Sequence, residues 1–107
     1  MPIAGHVRRA VARFVRRTQI DDAEAPADVK RYIRFGVSPR GAQCLVLAAK
    51  GHALLQHRYN VSLDDLRAVL LPTLRHRFQL NYAGEADEID AEAMLCRVFE
   101  ETIREAV

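Results

Sequence analysis

Arg40 stands directly after a serine and a proline in the run Gly36-Val37-Ser38-Pro39-Arg40. Serine is a good helix N-cap, and proline suits the first helical position, where no backbone N–H is needed. An arginine in that first turn meets unpaired backbone N–H groups and the positive end of the helix dipole, a setting that favours an anion. Its planar fork of donors matches phosphate oxygens. The chemistry on offer is therefore phosphate recognition, with Ser38 and Pro39 positioning Arg40. Gly36 reads as a left-handed residue that closes the preceding helix and hinges it to the next. A lone Ser-Pro-Arg is a weak signal, and its plain alternative is a solvated first-turn arginine.

Other chemistries find less support. No Gly-x-x-x-x-Gly-Lys-Ser/Thr loop is present, so the chain lacks a backbone phosphate cradle of its own. The acidic pairs Asp21-Asp22, Asp64-Asp65 and Glu100-Glu101 are adjacent, diverge on a helix, and read as solvated or capping groups. No nucleophile motif surrounds Ser38 or Ser62. His6, His52, His57 and His76 with Cys44 and Cys96 lack the short paired spacings of zinc sites, so no metal site is expected. His76 beside Arg77 reads as part of a buried polar contact. Arg8, Arg9, Arg13, Arg16 and Arg17 form a basic stripe that could touch phosphates. Without a base-reading second helix or interleaved aromatics, that stripe reads as solvated or partner-facing rather than nucleic-acid binding. Lys50 reads as a snorkelling surface lysine. Catalysis by this chain alone is not expected.

The elements that must position these residues follow from periodicity. At 107 residues and half apolar, the chain is one domain able to bury roughly two-thirds of its unfolded surface. Its net charge of +2 gives little argument for a nucleic-acid or membrane partner. Cys44 and Cys96 lie in apolar helical patterns and read as buried free thiols. No stretch suits a transmembrane helix or a signal peptide, which makes the cytoplasm the default. Val7, Val11, Phe14 and Val15 define a first helix ending near Thr18, and Asp21 to Ala27 a polar linker. Pro26 opens a short second helix through Val29, Tyr32 and Ile33 to the Gly36 stop. The third, from Ser38 to about His57, is apolar nearly all round and reads as the buried central helix, Leu47 included. Ser62 opens a fourth in a capping box with Asp65, which Pro72 should kink or break. Leu74 to Arg77 is then a turn. Residues 78–82 alternate like a half-buried strand that could pair with extended 59–61 in a two-stranded mini-sheet. Ala83 to Glu88 reads as a loop. Asp90 caps a last helix, with Ile89 and Met94 as a staple and Leu95, Val98, Phe99 and Ile103 as its stripe. The expected fold class is mainly α, a small helical bundle.

Several spaced motifs occur together and in order. Gly36-Val37-Ser38-Pro39-Arg40-Gly41-Ala42 runs into Leu47-Ala48-Ala49-Lys50, then His57-Arg58-Tyr59-Asn60-Val61 before Ser62-Leu63-Asp64-Asp65, then Leu74-Arg75-His76-Arg77. Together they resemble the C-terminal lid subdomain of MoxR-type AAA+ ATPases, closely from Val29 to Tyr82 and more loosely outside. The resemblance implies that residues 1–107 form a single lid, excised from or normally following an ATP-binding α/β subdomain. It implies ATP and Mg²⁺ as cofactors of the full-length protein, and none bound by the lid alone. It assigns Arg40 as the sensor 2 arginine, which reaches the nucleotide's terminal phosphates when the lid packs over them. The implied partners are the large subdomain, neighbouring subunits of a hexameric ring, and proteins carrying von Willebrand A domains. The implied work is chaperone-like remodelling of partner proteins. The alternative is a free-standing helical module that uses its basic helix on nucleic acid or an acidic protein. Three positions depart from the family pattern. Val37 replaces an alanine near the nucleotide edge, His57 stands where glycine commonly precedes Arg58, and Gln19 follows Thr18 where an arginine is frequent.

Overall fold

The computed structural model describes residues 3–106. Six helices and one small sheet lie among the described residues: α1 (Gly5–Arg17), α2 (Ala27–Tyr32), β1 (Ile33–Phe35), α3 (Pro39–Leu55), α4 (Leu63–Leu74), β2 (Gln79–Leu80), α5 (Tyr82–Ala86) and α6 (Ala91–Ala106). The fold is the expected mainly α bundle.

One core joins the helices. From α1 come Val7, Val11 and Phe14; from α6 come Leu95, Val98, Phe99 and Ile103, all buried. Phe14 and Phe99 meet edge to face at 5.3 Å, an aromatic pairing that contributes about 1 kcal/mol beyond burial. The same core takes in Val29, Ile33, Val37, Leu45 and Ala49, each fully or almost fully buried, with Leu66, Leu70 and Leu74 of α4. The longest packing seam runs between α3 and α4.

Several sequence expectations are corrected. The second helix stops at Tyr32, short of Gly36, because Ile33–Phe35 leaves it as a strand. Asn81 captures that helix end: its amide nitrogen Nδ2 donates to the Arg31 carbonyl and its backbone N–H to that of Tyr32, both at 2.8 Å. The mini-sheet exists, and its second strand falls within 78–82. Its partner is Ile33–Phe35, antiparallel, and not residues 59–61. Val61 instead forms an isolated parallel bridge with Ile3.

Pro72 does not break its helix; α4 continues to Leu74 with the proline in its last turn. The carbonyl orphaned by the missing N–H belongs to Ala68, which is exposed, so water can satisfy it. Tyr82, expected as the end of the strand, and residues 83–86, expected as loop, form the short α5, with the Asn81 side chain accepting the Gly84 N–H at 2.9 Å. The Asp90 cap is present, accepting the Ala93 N–H at 3.1 Å.

The third helix is less central than its composition suggests. Leu45, Ala49 and Ala53 are buried, but Leu47 is 66% exposed and Leu55 78% exposed. Apolar atoms make up more than half of a folded protein's accessible surface, so an apolar helix need not be buried on every side. Both cysteines are free and half-buried, not deeply buried.

Candidate functional site

The third helix starts as its sequence dictates. Ser38 is extended and caps it, its Oγ accepting the Gly41 N–H at 3.1 Å, with Pro39 at the first helical position. The Ala42 N–H takes the Ser38 carbonyl at 3.0 Å. That leaves the N–H of Arg40 as the first-turn amide with no partner among the described residues. Ser38, Pro39 and Arg40 are all exposed. The Arg40 guanidinium makes no hydrogen bond or ion pair among the described residues. Ser38 spends its hydroxyl on the cap, so its part is to position the turn.

What aims this helix was not legible in the sequence. Thr18, just past α1, is fully buried. Its hydroxyl donates to the Val15 carbonyl at 2.6 Å and accepts the Val37 N–H at 3.0 Å. The Gln19 side-chain amide donates to the Val37 carbonyl and, at 3.3 Å, to that of Val15. Both backbone polar groups of Val37 are thus held by the end of α1. Gly36 completes the contact, for a reason other than the one expected. Positive φ among the described residues belongs to His57 and Glu88, and to no glycine. Gly36 is needed because a Cβ there would lie 2.0 Å from the Thr18 carbonyl oxygen. Val37, read from the sequence as lying at a ligand edge, is wholly buried in the core.

An open groove of about 710 Å³ runs beside this helix start, lined in part by Ile20, Arg34, Phe35, Ser38, Pro39 and Arg77. Phe35 and Ile20 are exposed. The Arg34 guanidinium sits 4.8 Å over the Phe35 ring. Arg77 runs past Gly41, its Cδ 3.4 Å from where a Cβ would stand. His76 is exposed and takes no part in a buried polar contact, contrary to the sequence reading.

Three arginines of the α1 stripe make ion pairs within the chain, while Arg8 and Arg9 are exposed and make none among the described residues. Arg16 pairs with Asp22 at 3.4 Å, and Arg13 reaches Glu24 and Glu105 at 3.9 Å. Arg17 pairs with Glu105 and donates to Thr102 Oγ1 at 3.3 Å. The pairing with Arg17 holds the Glu105 carboxyl below its usual range.

The acidic pair Asp64-Asp65 divides between two roles. Asp64 is exposed and pairs with Arg67 at 2.5 Å. Asp65 is 0% exposed. It accepts both terminal nitrogens of Arg58, at 2.9 and 2.5 Å, and His52 Nδ1 at 2.7 Å. The backbone N–H of Ser62 donates to it at 2.8 Å in a complete capping box. Burial alone would raise its pKa; the hydrogen bonds from Arg58, Ser62 and His52 outweigh that and hold it well below the usual carboxylate range. This cluster ties the end of α3 to the start of α4. Among the described residues, no group of three or more His, Cys, Asp or Glu is placed to hold a metal ion. No described helix is long and apolar enough to cross a membrane.

The comparisons agree with this architecture. The family model described as AAA lid domain matches residues 25–97. Chaperone MoxR1 of Mycobacterium tuberculosis is 37% identical over 90 residues, covering 84% of this chain and 24% of its own length. Protein MoxR of Paracoccus denitrificans is 52% identical over 59 residues, covering 55% of this chain and 17% of its own. A solved structure from Cytophaga hutchinsonii, assigned as an ATPase, superposes with a TM-score of 0.84 at 26% identity, over 92% of this chain and 30% of that one. The chain thus spans about a quarter or less of the length of these two curated relatives. On sequence, family model and fold together, it belongs to the AAA lid domain family, as a lid of the MoxR type.

Proposed function

We propose that this lid packs over a nucleotide held by an ATP-binding α/β subdomain of the parent protein, and that Arg40 is its sensor 2 arginine. The observation that carries the reading is the placement of Arg40. It stands exposed in the first turn of the 17-residue α3, with its own N–H and guanidinium uncommitted among the described residues. Exposed planar donors at the positive end of a helix fit the terminal phosphates of ATP. When bound, ATP supplies the scissile phosphoanhydride, and Mg²⁺ neutralises charge between its phosphates. Arg40 would stabilise charge on the transferring group, Ser38 would hold the turn, and Pro39 would fix its first residue. Mg²⁺ would be held by the phosphates and by the large subdomain.

Because hydrolysis removes the terminal phosphate, it would release Arg40 and change the lid's angle. That couples the nucleotide to chaperone-like work of a ring on partner proteins, including those with von Willebrand A domains. The alternative, a basic helix contacting nucleic acid or an acidic protein, is weakened by the ion pairs that Arg13, Arg16 and Arg17 make within the chain.

The test is turnover by the full-length ATPase carrying this lid. Arg40→Ala should cut hydrolysis by roughly a thousandfold, the scale of comparable arginines. Arg40→Lys should rescue only in part, because a point charge lacks the planar fork. Unchanged turnover in Arg40→Ala would remove Arg40 from the site.

A further inference from the structure

We infer that Thr18 and Gln19 are positioning residues for Arg40: by holding the N–H and the carbonyl of Val37, they set the direction in which α3 leaves the strand. The inference rests on the sensor reading of Arg40. Between β1 and α3 only Gly36, Val37 and Ser38 can absorb a change of direction. Each is fixed by a different contact. Gly36 lies flat on the Thr18 carbonyl, where a Cβ would come within 2.0 Å. Val37 is bonded through its N–H to Thr18 Oγ1 at 3.0 Å and through its carbonyl to the Gln19 amide. Ser38 is fixed by its own cap.

The clamp is itself anchored. The buried Thr18 hydroxyl uses its one proton on the Val15 carbonyl at 2.6 Å. Its lone pairs must then face the Val37 N–H, so the hydroxyl cannot rotate away without losing a buried bond. The end of α1 and the start of α3 therefore move as one piece, with Arg40 three residues beyond the clamp. A shift of about 1 Å in a catalytic group can cost roughly a hundredfold in rate. A polar residue far from the phosphates can thus govern turnover through aim alone.

The test is a double-mutant cycle in the full-length ATPase, with the melting temperature of each variant recorded. Thr18→Val keeps the shape and removes the hydroxyl. It should lower kcat about tenfold or more with a smaller change in KM, while Thr18→Ser should retain most of the rate. Gln19→Met, at a half-buried position, is the milder variant should Thr18→Val fold poorly; it should lower kcat by a smaller factor. In an Arg40→Ala background, neither should slow the enzyme further. If their effects persist undiminished there, or if kcat is unmoved by both in the wild-type background, the positioning role is overturned while Arg40 stands. If Arg40→Ala alone leaves turnover unchanged, the sensor reading fails and this role with it.

Discussion

Arg58 meets the buried Asp65 through both terminal nitrogens, and the partnership bridges the C-terminal side of α3 to the first turn of α4. A carboxylate 0% exposed is tolerable only because Arg58, Ser62 and His52 together occupy its oxygens.

Acid should therefore weaken the domain through Asp65. Its folded-state pKa is depressed, so the unfolded chain takes up the proton first as pH falls. The contribution is fully present above about pH 4, the unfolded value, and is lost progressively below it. Urea midpoints measured from pH 7 to pH 2 should fall in the acid limb, and Asp65→Asn should flatten that limb. The same substitution should cost about 2 kcal/mol at pH 7, the scale of hydrogen bonds to a charged group. A pH profile unaltered by Asp65→Asn would place the acid sensitivity elsewhere.

His57 should respond to substitution in the opposite direction. It has φ of 60°, and the bonds around it, Arg58 N–H to the Ala53 carbonyl at 2.9 Å and His57 N–H to that of Leu54 at 3.0 Å, form a Schellman motif. Glycine is the residue that geometry prefers, because a left-handed backbone costs an L-residue about 1–2 kcal/mol. His57→Gly should raise the unfolding free energy by about 1 kcal/mol, and the denaturant midpoint with it, partly offset by the entropy of glycine in the unfolded chain. A lowered midpoint would mean the imidazole contributes something the geometry does not show.

Two glycines should behave unlike each other. Gly51→Ala meets nothing within 4 Å and lies inside α3, so it should stabilise by about 1 kcal/mol through helix propensity. Gly36→Ala forces a Cβ to within 2.0 Å of the Thr18 carbonyl and should destabilise by about 1–3 kcal/mol or more. Thermal melts of the pair decide it, and similar shifts for both would contradict the contact.

Two neighbouring leucines separate the faces of α3. Leu45→Ala, at 0% exposure, should cost roughly 2–5 kcal/mol. Leu47→Ala, at 66% exposure, should cost under about 0.5 kcal/mol. Equal losses from the two would put the outward face of α3 against other chain.

The start of α3 was legible because capping is local: Ser38 and Pro39 announce it, and Arg40 falls in its first turn. So too were the Ser62-Asp65 box and the apolar stripe of α6. The Thr18–Val37 clamp was not, since it joins residues 19 apart in sequence. A threonine after a helix looks the same whether it is solvated or buried. Asp65 was half-read, as a cap, because a capping box carries no sign of a distant arginine and histidine converging on it. The strand at Ile33–Phe35 reads locally as helix because its partner lies beyond two intervening helices, and pairing of that range leaves only weak local periodicity. Gly36 was recognised as special, but the reason is a neighbour's carbonyl rather than its own φ.

The central claim is that Arg40 reaches the terminal phosphate, and the affinity difference between nucleotides tests it most directly. Calorimetric titration of the full-length ATPase with a non-hydrolysable ATP analogue and with ADP, for wild type and Arg40→Ala, isolates that contact. The account predicts that Arg40→Ala weakens the triphosphate about tenfold or more and ADP far less, with the circular dichroism of the lid unchanged. Equal weakening of both nucleotides, or no weakening of either, would contradict it.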